Sequence, residues 1–282
     1  MKIFETIAEI RQEIHVLRSN NHSIGFIPTM GALHHGHLAL IKASKNTCDI
    51  TVASIFVNPT QFNKPEDLIN YPRTNSEDLK KLQDAHCDIV FTPADEEMYP
   101  APVSLTVKLS TISNELEGKF RPGHFDGVGI VVSKLFNIIQ PDQAFFGQKD
   151  IQQYFIIKEL IEQLNFPIKL NMVPTVRETN GLAMSSRNMR LNNQQREDAS
   201  LIYRCLKTAR HSLLTKTLIN DVIRYAEELF MNQERLQLEY FEVVDTKDFK
   251  QATDTTKREK IALCIAAEIG GVRLIDNLML IS

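Results

Sequence analysis

The sequence predicts an α/β protein: a doubly wound, Rossmann-like parallel sheet, followed by a smaller α+β C-terminal domain. Three observations predict it. Short apolar runs alternate with helical patterns as far as Val176, and strand–helix alternation builds right-handed parallel sheets. The run Ile50–Val57 is almost continuously apolar or β-branched, the pattern of a strand covered on both faces. Beyond Val176 the order changes to helices first and strands after. With 282 residues the chain is long enough for two cores, and the domains are set at 1–176 and 177–282, the second covering the site.

Taking the elements in order, Ile7, Ile10, Ile14 and Leu17 recur at helical spacing between Thr6 and Arg18. Ile24–Ile27 is the first strand, and Leu38–Ala43 continues a helix with no breaker. Ile50–Val57 stops at Asn58-Pro59, because proline cannot donate to a ladder. Asn63–Thr74 is polar and proline-containing, and is taken as a mobile lid. Ser76–Ala85 reads as a helix, Cys87–Phe91 as a strand, and Val103–Leu109 as a further strand. A loop rich in glycine and cations, Gly118–Gly127, precedes an apolar helix from Val128 to Ile139. Gln143–Phe146 is a strand that runs into Gly147-Gln148-Lys149-Asp150 and the helix Ile151–Leu164, with Asp150 at the N-cap. Ile168–Val176 is the last strand of the sheet. In the C-terminal domain Asn192–Leu214 and Ile219–Asn232 read as helices, and Leu238–Val244, Ile261–Ala267 and Val272–Leu280 as strands.

Composition narrows the function. The net charge of −3 provides no basic field for nucleic acid. No apolar run approaches the roughly 20 residues that a membrane helix needs. Cys48, Cys87, Cys205 and Cys264 are scattered with no Cys-x-x-Cys pair, which points to reduced thiols, a cytoplasmic location and no zinc site. Neither a Walker loop nor a complete dinucleotide fingerprint is present.

The chemistry concentrates at loops that follow strands, where open α/β sheets bind ligands. His34 and His37 are three residues apart at a helix start, with Gly36 between them. A helix N-terminus has unpaired N–H groups and the positive end of the dipole, and attracts phosphate. His35 faces elsewhere. Asn58 and Gln61 follow the second strand, and Gln153 lies one turn into a helix; their uncharged amides suit a small polar substrate. Gln152 points away. Lys149 adds a cation, and Met184-Ser185-Ser186-Arg187 places two hydroxyls and a guanidinium in a loop. Arg121 and His124 are further candidates for phosphate contact. No residue has the partners of a covalent nucleophile, so the groups suit binding of ATP and stabilisation of charge at its α-phosphate, with Mg²⁺ held mostly by phosphates and water.

The segment His34-x-Gly36-His37 resembles the HIGH signature of nucleotidyltransferases, and Met184-Ser185-Ser186-Arg187 resembles their KMSKS-type loop. The longer string Pro28–His37 resembles the pantoate–β-alanine ligase family. So do Ser54–Phe62, Tyr71–Thr74, Arg121–Val128, Lys134–Gln153, Ala183–Asn188 and Arg273–Asn277. The resemblance implies ATP-dependent joining of pantoate to β-alanine through a pantoyl-adenylate, in coenzyme A biosynthesis, by a cytoplasmic homodimer. It implies ATP contacts from Met30, Gly31, Ala32, Leu33, His34, His35, Gly36 and His37, from Gly147, Gln148, Lys149 and Asp150, from Val176, and from Met184, Ser185, Ser186 and Arg187. His37, His34, Lys149 and Arg187 would be the catalytic groups. Gln61 would hold pantoate and β-alanine, and Gln153 pantoate. Another small-molecule adenylyltransferase and a nucleotide-sensing module without turnover are the rival readings.

Overall fold

The computed structural model describes all residues except Lys64, Thr106, Lys108, Ser110 and Ser282, and of Asp67 the backbone alone. It divides into two compact units. The first contains residues 1–147 and 153–174, the second residues 148–152 and 175–282.

The N-terminal unit runs β1 (Lys2–Phe4), α1 (Ile7–Ser19), β2 (Ile24–Thr29), α2 (His35–Lys45), β3 (Ile50–Ile55), α3 (Pro65–Ile69), α4 (Asn75–Asp84), β4 (Ile89–Phe91), α5 (Asp95–Met98), α6 (Glu117–Phe120), α7 (His124–Ile139), β5 (Gln143–Gly147), α8 (Ile151–Gln163) and β6 (Lys169–Val173). Its six strands pair in the order β1-β4-β3-β2-β5-β6, and every pairing is parallel. From β2 the chain builds outward through β3 and β4, then returns to place β5 and β6 on the other side. The reversal lies between β2 and β5, the switch point at which such sheets bind ligands.

Alternation along the strands explains the double winding. Ile24 and Phe26 of β2, Val52 of β3 and Phe146 of β5 face a core that includes Ile10, Ile14, Phe136, Ile157 and Leu160. The intervening Ile27, Ala53, Ile55 and Phe145 face a second core with Leu40, Ile41 and Leu82. A period of two, with both faces buried, produces near-continuous apolar strands.

The structure differs from the sequence-based expectation in several places. The edge strand β1 was not foreseen, since three residues carry no legible alternation; it forms because Lys2, Ile3 and Phe4 pair with Ile89, Val90 and Phe91. The described residues of Val103–Leu109 form no strand, with Thr106 and Lys108 outside the described set; Val107 and Leu109 pack onto the apolar core instead. The helix expected from Val128 begins at His124. In Asn63–Thr74, expected as a lid, Pro65–Ile69 is helical.

The C-terminal unit carries α9 (Asn193–Ala199), α10 (Leu201–Leu214), α11 (Ile219–Met231), β7 (Leu236–Asp245), β8 (Ile261–Ile269) and β9 (Val272–Met279). The three strands form an antiparallel sheet in the order β7-β8-β9, with a register shift between Leu238 and Tyr240. Cys205, Leu206, Ala209 and Leu213 of α10 and Val222, Ala226 and Phe230 of α11 pack with Leu263, Ile265 and Ala267 of β8. Compared with the division at 176/177, the segment Gln148–Gln152 belongs with this unit, because β9 holds it by side-chain hydrogen bonds. Among the described residues no helix is long and apolar enough to cross a membrane.

Candidate active site

In the N-terminal unit, β2 ends at Thr29, whose hydroxyl donates to Ser54 O at 2.7 Å and accepts from Gly31 N at 3.2 Å. The chain then turns through Met30–Leu33 into α2. His34 is the N-cap of that helix, extended at φ −135° and ψ 176°. Its Nδ1 accepts from the Gly36 N–H at 3.1 Å, and the Nδ1 of His37 accepts in return from the His34 N–H at 3.2 Å. This is a capping box built from two imidazoles. The rings lie 4.1 Å apart between centroids, tilted by 39°. An Nδ1 that accepts a backbone N–H leaves the proton of a neutral imidazole on Nε2. Both histidines are therefore set as Nε2–H donors at a helix N-terminus. The space left by Gly36 is used by His34: a Cβ there would sit 2.8 Å from His34 Cε1. His35 is exposed.

The turn is gripped from α4. Asp78, fully buried, accepts from the N–H groups of Ala32 at 2.8 Å and Leu33 at 2.7 Å. Lys81 donates to Leu33 O at 2.8 Å. Sequence reasoning passed over both. The legible signal was a carboxylate, Asp78, one turn from Leu82 on the apolar face of an amphipathic helix.

Gln61 is buried in the loop after β3. Its Nε2 donates to Met30 Sδ at 2.9 Å, and its Oε1 accepts from Asn58 Nδ2 at 3.1 Å. An amide has two donors and two lone pairs, so among the described residues these contacts leave Gln61 one of each. Asn58 differs. Its Nδ2 also reaches Gly127 O at 3.3 Å, and its Oδ1 accepts from Thr60 Oγ1 at 3.0 Å and Tyr99 Oη at 2.7 Å. With all four positions used, the Asn58 side chain supports Gln61 and has no capacity left for substrate. Burial pushes the Tyr99 phenol above its ordinary range, which keeps it a donor. His124 is likewise internal. Arg121 donates to its Nε2 at 3.0 Å, so its Nδ1–H donates to Gln61 O at 2.8 Å; neither nitrogen is left for a phosphate. Gly147 ends β5, and a Cβ there would meet nothing within 4 Å. Gln153 is half-buried, whereas Gln152 is buried.

In the C-terminal unit, Gln148–Asp150 forms a 3₁₀ turn leading into α8, with Asp150 at the position expected of a cap. Lys149 is largely buried and its Nζ lies 3.4 Å from Asp150 Oδ1. Asn277 of β9 donates to the carbonyls of Gln148 at 2.9 Å and Lys149 at 2.8 Å. The loop after Val176 doubles back, Met184 N donating to Val176 O at 3.0 Å and Arg177 bridging to Ala183. It leads to a 3₁₀ turn over Ser186–Arg190, capped by Ser185 Oγ, which accepts from Arg187 N at 3.3 Å. Asn188 ties that turn to Glu178 at 2.7 Å and to Ala183 O at 3.0 Å. Both turns pack against β9, so the lysine and arginine loops share one support. Arg187 is half-buried, and among the described residues no carboxylate pairs with it.

Arg177 forks onto Asp276 of β9 at 2.5 and 3.0 Å and lies over the Tyr203 ring at 3.8 Å. Burial raises the Asp276 carboxyl above its ordinary range, with the Arg177 fork and the Asn277 N–H pulling the other way. Asp276 and Asn277 thus tie β9 to Arg177 and to the Gln148–Lys149 turn. Among the described residues the four cysteines form no disulfide and all are buried, and burial pushes the thiols of Cys87 and Cys205 up to about 12, so neither is a thiolate nucleophile at neutral pH. Among the described residues no group of three or more His, Cys, Asp or Glu converges on a metal position.

The chain is similar to known proteins along its whole length. The pantothenate synthetase of Cytophaga hutchinsonii is 46% identical over 277 residues, covering 98% of each chain. That of Bacteroides fragilis is 42% identical, covering 99% of this chain and 98% of its own. The crystal structure of pantothenate synthetase from Thermus thermophilus superposes with a TM-score of 0.93 at 37% identity, over 99% of both chains. The pantoate-beta-alanine ligase of Francisella tularensis, solved in complex with beta-gamma ATP and beta-alanine, gives a TM-score of 0.83 at 34% identity, over 100% of this chain and 98% of its own. Residues 2–279 match the pantoate-beta-alanine ligase family, and the chain belongs to that family.

Proposed function

We propose that this protein condenses (R)-pantoate with β-alanine at the expense of ATP, releasing pyrophosphate and AMP. Its family membership supports this reaction, and the single structural observation that carries the mechanism is the reciprocal cap of His34 and His37. Two imidazoles set as Nε2–H donors, beside the N–H groups of a helix start, suit the charge of a phosphate in reaction.

In the first half-reaction the pantoate carboxylate attacks the α-phosphorus of ATP and pyrophosphate leaves, giving an acyl-adenylate. His37 donates to a phosphate oxygen as negative charge builds there, and His34 assists. Lys149, Ser185, Ser186 and Arg187 are assigned to ATP, as are Gly147, Gln148, Asp150, Val176 and Met184. Gln61, held in place by Met30 and Asn58, offers its remaining donor and acceptor to pantoate; Gln153 offers a second amide. A Mg²⁺ ion would ride on the phosphates and water, offsetting their charge. In the second half-reaction the β-alanine amine attacks the acyl carbon, AMP departs and an amide forms. Gln61 is assigned to β-alanine as well. No covalent bond to the protein is needed, so positioning and electrostatics carry the rate. We assign the working state to a homodimer in the cytoplasm, and gel filtration with light scattering tests the assembly.

The test follows pyrophosphate release from ATP with pantoate alone, then AMP formation with pantoate and β-alanine together. Pantoate alone should support formation of the adenylate, and sustained AMP release should need both. Background rates with pantoate, against stimulation by a phosphorylated acid, would assign the protein to another adenylating activity.

A further inference from the structure

The turn that presents the two histidines contains backbone that does not hold itself. Gly31 has φ +80° and Ala32 φ +49°, and a left-handed conformation is strained for a residue with a Cβ. The hold comes from α4. One buried carboxylate, Asp78, takes the N–H groups of Ala32 and Leu33 together with the Thr74 hydroxyl at 3.0 Å. One turn further, Lys81 takes Leu33 O.

The Lys81 contact reaches further than Leu33. The peptide whose oxygen it binds is the Leu33–His34 peptide, and the N–H of that same peptide donates to His37 Nδ1. A cation on a carbonyl oxygen polarises the amide and strengthens its N–H as a donor. That N–H in turn requires a lone pair on Nδ1, which keeps the His37 proton on Nε2. Four groups thus lie in series: ammonium, carbonyl, N–H and imidazole.

From this series we infer that Lys81 and Asp78 are positioning residues for His37, setting its tautomer and its place through the Leu33–His34 peptide without touching substrate. The effect on rate rests on the proposed role of His37 at the phosphate; the effect on tautomer does not.

The test uses the full chain labelled with ¹⁵N-histidine, comparing wild type with Lys81→Met, Lys81→Arg and Asp78→Asn. In wild type the His37 nitrogens should report an Nε2–H imidazole. Lys81→Met should introduce the Nδ1–H form and lower kcat for pantoate-dependent pyrophosphate release between about 10- and 100-fold, the scale of a small misplacement of a reacting group. The KM for pantoate should stay near wild type. Lys81→Arg, which keeps a donor of the same charge, should restore most of the rate. Asp78→Asn turns an acceptor into a donor facing a backbone N–H, and should lose more. Should Asp78→Asn fail to fold, Lys81→Met decides alone. A folded Lys81→Met protein with an unaltered His37 signal overturns the inference, whether its rate falls or not. If wild type releases no pyrophosphate with ATP and pantoate, the proposed function fails, and the nitrogen signals still judge this inference separately.

Discussion

Asn277 on β9 donates its side-chain amide to the main-chain oxygen of Lys149 at 2.8 Å, and the same nitrogen reaches Gln148 O at 2.9 Å. A residue near the C-terminal end of the chain thereby shapes a turn 128 positions earlier. Asn277→Ala should raise the KM for ATP roughly 10-fold through loosening of the Lys149 turn, and should cost about 1–3 kcal/mol of stability in a urea titration. An unchanged ATP KM would mean that the turn holds its shape without β9.

His37→Ala removes a donor and also the acceptor for the His34 N–H. Turnover should fall by roughly 10²-fold or more, the scale of losing one preorganised donor to developing charge. Circular dichroism should remain that of wild type, since the helix still has His34 as its cap. A turnover within a few-fold of wild type would remove His37 from the phosphate.

Gln153→Ala is expected to act on one substrate. Pantoate binding should weaken, with ATP affinity near wild type, as measured by calorimetric titration of each ligand. Equal losses for both would contradict the assignment of Gln153 to pantoate.

The buried thiols give a pH prediction. For Cys87 and Cys205 burial raises the folded-state value to about 12, above the ordinary thiol range near 8.5. The folded state then holds protons that the unfolded state gives up, so the contribution to stability is complete below the unfolded-state value and is lost as pH climbs toward about 12. Iodoacetamide at pH 8 should leave both thiols unmodified and activity intact, while the same treatment in denaturant alkylates them. Inactivation that tracks alkylation of either residue in the folded enzyme would bring a cysteine back into the chemistry.

Much of the N-terminal sheet was legible because its signals are local. Ile24–Thr29 and Ile50–Ile55 announce buried strands by their apolar runs, and the glycine turn with two histidines announces a helix start. β1 was not legible, because three residues become a strand only when β4 offers a partner. Of the residues proposed to carry the function, the histidine pair, Gln61, Lys149 and Arg187 could be named from motif and position.

What the sequence determined by itself was the inventory of chemistry: which side chains stand at helix starts and strand ends. Tertiary structure decided how each is used. Asn58 and His124 looked like ligand groups, but contacts with residues as far away as Gly127 and Tyr99 occupy them. Asp78, Lys81, Asp276 and Asn277 looked ordinary, yet they hold the loops to which the chemistry is assigned. The reason is physical. A side chain's capacity to meet a ligand is whatever remains after its hydrogen bonds within the fold are made, and those partners lie far apart along the chain.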